Sequence, residues 1–230
     1  TPVTVKRGIG PVVLGLPHTG TFVPDRIAAN LNDNGQKLAA FYDSRYFAPN
    51  PKKGSIKDFT LGFYGNYIGS DFEHQHYPFS SRNFFTPESV KFFTLAVQGI
   101  YSVQTGDTPF FNQNVLSFAD DTKTGIGWYR TLRGYQQDRF VADIKVLANV
   151  EGRFNFYKTT VFDQSFDFMA VPFVDAGKVF DKVSDTDLKG YKYTYGAGMR
   201  IAWNQATIII NDYGQSVEDS SLYINFNHIF

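Results

Sequence analysis

Val141 to Phe156 reads V-A-D-I-K-V-L-A-N-V-E-G-R-F-N-F. Taken two at a time, one face is Ala142, Ile144, Val146, Ala148, Val150, Gly152, Phe154 and Phe156. The other is Asp143, Lys145, Leu147, Asn149, Glu151, Arg153 and Asn155. A period of two is the signature of a strand, because successive side chains point to opposite faces. Soluble strands usually run ~5–6 residues, so this one is too long for an ordinary soluble sheet. One greasy face, one charged face and bilayer-crossing length fit the wall of a membrane barrel around a polar lumen.

Composition permits that reading. The 230 residues carry no net charge, and mean hydropathy is negative. No run of about eighteen apolar residues is present, which excludes a transmembrane helix but not a barrel of alternating strands. The 24 Phe and 14 Tyr suit aromatic girdles at two interfaces. With no Cys, disulfide frameworks and thiolate catalysis drop out. Balanced charge gives no electrostatic reason to expect nucleic acid. No signal peptide opens the sequence, so it reads as a processed chain or a piece of one.

Alternation recurs along the chain. Strands are expected near Lys57–Ile68, His76–Thr86 (broken by Pro78), Lys91–Gln104 and the Val141 stretch. Four more follow at Ser165–Phe180, Tyr191–Asn204, Ala206–Tyr213 and Ser221–Phe230, with a tight Asn-Gln turn at Asn204-Gln205. This predicts an all-β, antiparallel, up-and-down transmembrane β-barrel or half-barrel of about eight strands over residues 44–230. Residues 1–43 read as a short non-barrel segment. In it Val12–Leu16 form a short strand, and a helix from Asp25 to Ala40 is interrupted at Asn32-Asp33-Asn34-Gly35. Residues 41–56 read as a linker or turn. Met169–Val174 is apolar on both faces, so its orientation stays open.

Four separated motifs keep their order. They are Leu132-Arg133-Gly134-Tyr135, then Asn149-Val150-Glu151-Gly152-Arg153-Phe154, then Pro172-Phe173-Val174-Asp175-Ala176-Gly177-Lys178-Val179, then Tyr195-Gly196-Ala197-Gly198-Met199-Arg200. Together with terminal Phe230, they resemble the bacterial surface antigen superfamily, the BamA/TamA-like barrels of outer-membrane assembly and secretion. The resemblance covers about residues 44–230. It implies an outer-membrane location and a role in protein insertion or protein transport, with membrane lipid and client polypeptides as partners. It further implies a loop folded into the lumen, locked to the wall by Arg133, Gly134 and Tyr135 meeting Glu151 and Asp175. Phe230 would be the C-terminal assembly signal.

Residue chemistry agrees with such a lock. A planar guanidinium can bind two carboxylates at once, glycine allows close backbone approach, and a tyrosine can pack on the wall. Members of that superfamily have about sixteen strands, whereas about eight are visible here; an eight-stranded interior is just wide enough for side chains. The long loop before Val141 therefore calls for a missing barrel half, a homo-oligomeric barrel from two copies, or a loop left outside. The open edges expected to template an incoming strand are Lys57–Ile68 and Ser221–Phe230. A small structural or pore-forming barrel is the alternative.

Residues 10–40 carry a second resemblance. Pro11-Val12-Val13-Leu14-Gly15-Leu16-Pro17-His18-Thr19-Gly20 is similar to the opening of N-formylglutamate amidohydrolases, which implies His18 as a metal-site residue of a hydrolase. A single His does not make such a site, which needs three or four ligands. His74 and His76 fall in a strand-edge turn, and His228 falls on the lipid-facing row of the last strand. No Gly-x-Ser-x-Gly elbow or phosphate loop is present. The expectation is a protein with no catalytic residue, no metal and no cofactor.

Overall fold

A computed structural model describes residues 13–15, 35–118, 122–228 and 230. Ten strands form one antiparallel sheet in chain order. They are β1 (Val13–Gly15), β2 (Gly35–Asp43), β3 (Gly54–Tyr64), β4 (His74–Phe85), β5 (Phe93–Gly106), β8 (Ile144–Val161), β9 (Gln164–Phe180), β10 (Lys192–Trp203), β11 (Thr207–Gln215) and β12 (Ser220–Phe226). Between β5 and β8 the segment 107–143 leaves the sheet and carries its own hairpin, β6 (Val115–Ser117) with β7 (Thr122–Thr124). The sheet does not close on itself: among the described residues no ladder joins β12 to β1 or β2.

Burial is inside out. On β8 the covered side chains are Lys145, Leu147, Asn149, Glu151 and Arg153, while Ala148, Val150 and Phe154 are exposed. On β3 Asp58 and Thr60 are covered and Phe59 and Phe63 are open. At the end of the sheet, Leu222, Ile224 and Phe226 are each about two-thirds exposed (66%, 66% and 69%). A water-soluble sheet does the reverse. An apolar exterior around a polar interior is the arrangement that hydrocarbon selects.

The interior is layered. At one end Phe84, Ala96, Met169, Val171, Ala202, Ile208, Ile210 and Phe230 form an apolar cluster drawn from β4, β5, β9, β10, β11 and the carboxy-terminal segment. Contacts across so many strands require the sheet to curl. At the other end Ile100, Leu116, Phe118, Ile126, Leu132, Tyr135 and Leu147 pack segment 107–143 against the wall. Charged side chains fill the layer between. Met169 and Val171 explain the doubly apolar stretch of β9: one face meets the inner cluster, the other faces outward through Ala170, Pro172 and Val174.

Several expectations are corrected. Gly35–Ala40 is strand, not helix; the Leu38-Ala39-Ala40 run that suits a helix serves equally as strand β2 once β3 offers a ladder from Gly35–Tyr64 to Asp43–Ile56. Only residues 44–53 remain as the turn. The expected boundary at 43/44 thus falls at the end of a strand of the sheet, and the strand count rises from about eight to ten. Lys57–Ile68 is no edge, because β3 lies between β2 and β4; the edges are β1 and β12. β4 runs unbroken through Pro78, whose missing N–H coincides with a gap in the β3–β4 ladder between the Phe59–Phe79 and Gly62–His76 pairs. His74 and His76 are buried strand residues, not turn residues.

His228 and Phe230 do not continue the outward row. β12 ends at Phe226, and Asn227 adopts a left-handed conformation with φ 67°. That residue turns the chain inward. His228 Nε2 lies 3.3 Å from Asn50 Oδ1, and Phe230 stacks on Phe84. The tightest hairpins use left-handed pairs too: Phe162-Asp163 (φ 48° and 60°) and Asn204-Gln205 (φ 48° and 63°), as twisted antiparallel strands prefer.

Candidate functional site: a loop held by a six-membered charge network

Segment 107–143 enters the interior, so a loop left outside is ruled out. Its tip, Leu132-Arg133-Gly134-Tyr135, is wholly covered. Gly134 has φ 96°, a conformation that glycine adopts without steric cost. A Cβ there would stand 2.9 Å from the backbone carbon of Gln215. The loop backbone therefore lies directly on β11. Gly134 N donates to Tyr223 Oη at 3.0 Å, and Ser216 Oγ donates to Gly134 O at 2.8 Å.

Arg133 projects from this tip into a nest of carboxylates. Its Nε and Nη2 grip Asp175 as a fork, at 2.9 and 2.7 Å. Its Nη1 donates to Glu151 Oε1 at 2.8 Å and to Asp212 Oδ2 at 3.0 Å. The guanidinium carbon also lies over the Phe173 ring, 3.4 Å from its centroid. Burial alone would lower its pKa, but the charges of Asp175, Glu151 and Asp212 outweigh that and hold the proton more firmly than in water.

Two further cations complete the network. Arg200 on β10 binds both oxygens of Asp212 and reaches Glu151 Oε1 at 3.1 Å. Arg153 on β8 donates through Nε to Glu151 Oε2 at 2.9 Å. Three guanidinium groups thus face three carboxylates, from four wall strands and the loop. Neutral donors finish the shell: Asn149 Nδ2 bonds Asp175 Oδ1 at 2.8 Å and Thr131 O at 2.7 Å, and Thr194 Oγ1 bonds Asp175 Oδ2 at 3.2 Å. Buried charges survive only when neutralised and hydrogen-bonded in this way.

The structure brings Arg133, Gly134, Glu151 and Asp175 together. Tyr135 is adjacent but plays another part, packing among Leu132, Ile126 and Leu147 with its ring edge-on to Phe140 at 5.0 Å. Phe230 lies apart in the inner apolar cluster, where Arg153 Nη2 donates to its carbonyl at 3.3 Å. His18 lies outside the described residues. Arg200 and Asp212 were missed as partners. The mark beside them is one glycine: a Cβ on Gly198 would collide with Asp212 Oδ1 and Arg200 Nη1, so that glycine opens the space their ion pair fills.

The tip is thus folded back into a polar interior and clamped to acids on β8, β9 and β11. A profile of the Omp85 superfamily domain matches residues 28–218. The chain belongs to the Omp85 superfamily. Its members are outer-membrane assembly and transport factors rather than enzymes, and the match begins ahead of β2, in keeping with that strand's place in the sheet. No curated protein matches this Omp85 chain.

Proposed function

We propose that this Omp85 domain works in the bacterial outer membrane, inserting or translocating polypeptides by offering an unpaired strand edge. The observation that carries the reading is the combination of an inside-out sheet with an open β12 edge. Among the described residues no strand pairs with the outer side of Ser220–Phe226, and such an edge can take an incoming extended segment, with register supplied through main-chain hydrogen bonds. The infolded loop, fixed through Arg133, sets the curvature of β8 to β11 and so the position of that edge. Phe230 serves assembly by anchoring the inward turn after Asn227.

The interior favours this reading over a passive pore, because segment 107–143 and the charge network occupy the space that ions would need. The test is site-specific photocrosslinking from Ser221 in reconstituted membranes. Capture of unfolded barrel clients at Ser221, and not at Val150 on the mid-sheet lipid face, supports the reading. Equal capture at both positions, or steady single-channel conductance without client capture, overturns it.

A further inference from the structure

A basic cleft opens at the end of the sheet that bears turns 44–53, 86–92, 162–163 and 204–206. Its volume is about 710 Å³, and Tyr46, Lys52, Lys53, Thr86, Lys91 and Glu88 line it. Thr86 Oγ1 donates to Lys52 O at 2.8 Å and thereby holds the two turns side by side. Glu88 is the single acid of the lining, and its contact with Lys53 is loose, 3.6 Å between largely exposed groups. Lys52 and Lys91 have no acidic partner among the described residues. Positive charge is therefore gathered around a concavity and left uncompensated.

A second, separate depression lies on the outer face of the same strands. Ala40, Phe41, Tyr42, Lys57, Asp58, Phe59 and Phe79 line it; the Asp58 side chain is fully covered, and the surface left open is mostly apolar. The ladders set Ala40, Phe59 and Phe79 in one outward row across β2, β3 and β4, with Tyr42, Lys57 and Ser81 in the next row toward the turn. Small Ala40 between bulky neighbours makes the hollow. Lys57 stands three residues into the strand from Gly54, about 10 Å at ~3.3 Å per residue. Outward Phe85 and Phe92 stand beside the cleft in sequence, next to Thr86 and Lys91, and both are exposed.

The geometry points to a binding site for one anionic phospholipid, its headgroup phosphate in the Lys52–Lys53–Lys91 cleft and an acyl chain in the Ala40–Phe59–Phe79 hollow. The inference rests on the outer-membrane reading above. Charge complementarity selects the headgroup; the apolar hollow on β2, β3 and β4 selects a lipid over a free anion. Bacterial barrels place short turns on the periplasmic side and long loops outside, and segment 107–143 lies at the opposite end. The occupant is thus a phospholipid of the periplasmic leaflet. Lys57 stands one row nearer the turn than Ala40, Phe59 and Phe79, a position from which a long cationic side chain can extend to the interface.

The test uses the full chain in bilayers of phosphatidylcholine alone or with phosphatidylglycerol, followed by native mass spectrometry of the released protein. Each lysine near an anionic lipid surface shifts binding by about fivefold, so three give on the order of 100-fold preference for phosphatidylglycerol. The triple change Lys52→Gln, Lys53→Gln, Lys91→Gln abolishes the preference, and the corresponding triple change to Arg keeps it. Phe59→Ala with Phe79→Ala weakens retention of both lipids. Equal retention of the two lipids by the unaltered chain, or a preference that survives the glutamine changes, overturns the site. So does release of phosphatidylglycerol by millimolar inorganic phosphate, which marks a free-anion site. Entry into phosphatidylcholine bilayers without lipid preference sinks this proposal alone; failure to enter either bilayer sinks the membrane reading and the site with it.

Discussion

Gly134 of the infolded loop and Gly214 of β11 face each other backbone to backbone. A Cβ on Gly214 would stand 2.8 Å from the backbone carbon of Arg133, and one on Gly134 would stand 3.0 Å from that of Gly214. Neither neighbour can give way, since both contacts are with main chain. Gly134→Ala adds a left-handed strain of about 1–2 kcal/mol to that clash, and Gly214→Ala tests the clash alone. Both variants are expected to lower the denaturation midpoint seen by heat-modifiable gel migration, Gly134→Ala more. Unchanged midpoints in both would show that the loop does not rest on β11.

Arg133→Ala leaves Asp175 without its fork and removes one of three cations from a buried site. Breaking a buried pair costs about 3–5 kcal/mol. The expected result is a folded wall with a loop open to protease between 107 and 143. Arg133→Lys restores charge but not the planar fork, so intermediate protection is expected. Protease resistance equal to the unaltered chain in both variants would remove the locking role.

Arg200 and Asp212 should behave as one unit. Either Arg200→Met or Asp212→Asn alone leaves an uncompensated charge beside Glu151 and Arg133, whereas the double change leaves one cation and one anion fewer. A double-mutant cycle on urea unfolding in micelles is expected to show a coupling of ~1–3 kcal/mol. Additive losses would mean that the two are independent.

Val150→Arg places a cation on the exposed face of β8, opposite in direction to Glu151. If lipid covers that face, the change costs about 2–4 kcal/mol near the bilayer midplane. The readout is folding yield into phosphatidylcholine vesicles. A yield equal to that of the unaltered chain would argue that water, not hydrocarbon, bathes the outer rows.

Asn227→Val puts a β-branched residue where φ is 67°, a position such residues avoid. The inward turn should fail, releasing Phe230 from Phe84. Faster carboxypeptidase trimming is the expected outcome; an unchanged rate would mean that the turn tolerates any residue.

Much of this was legible in residue order. The period-two stretch that became β8 shows both its faces in the sequence, and the Arg-Gly-Tyr tip with Glu151 and Asp175 marks loop and wall. Strand number was harder, because β2 is built from Leu38, Ala39 and Ala40, whose types suit a helix as well as a strand. Only its ladder with β3 decides between them. Asp212 was hidden for another reason. Its strand reads as continuously apolar through Ile208, Ile209 and Ile210, and nothing local says that the acid two residues on meets a loop 79 positions away in sequence. The inward course of His228 depends on one left-handed residue, and Asn227 carries no mark that separates it from any other asparagine.

One guanidinium ties acids on β8, β9 and β11 to a segment that precedes all three in the chain. Glu151 and Asp212 also hold Arg153 and Arg200, so β8, β10 and β11 can neutralise these two acids before the tip arrives. Among the described residues Asp175 has a cation only in Arg133. The tip is then the closing piece of a wall already gathered, and β9 is the strand that waits for it.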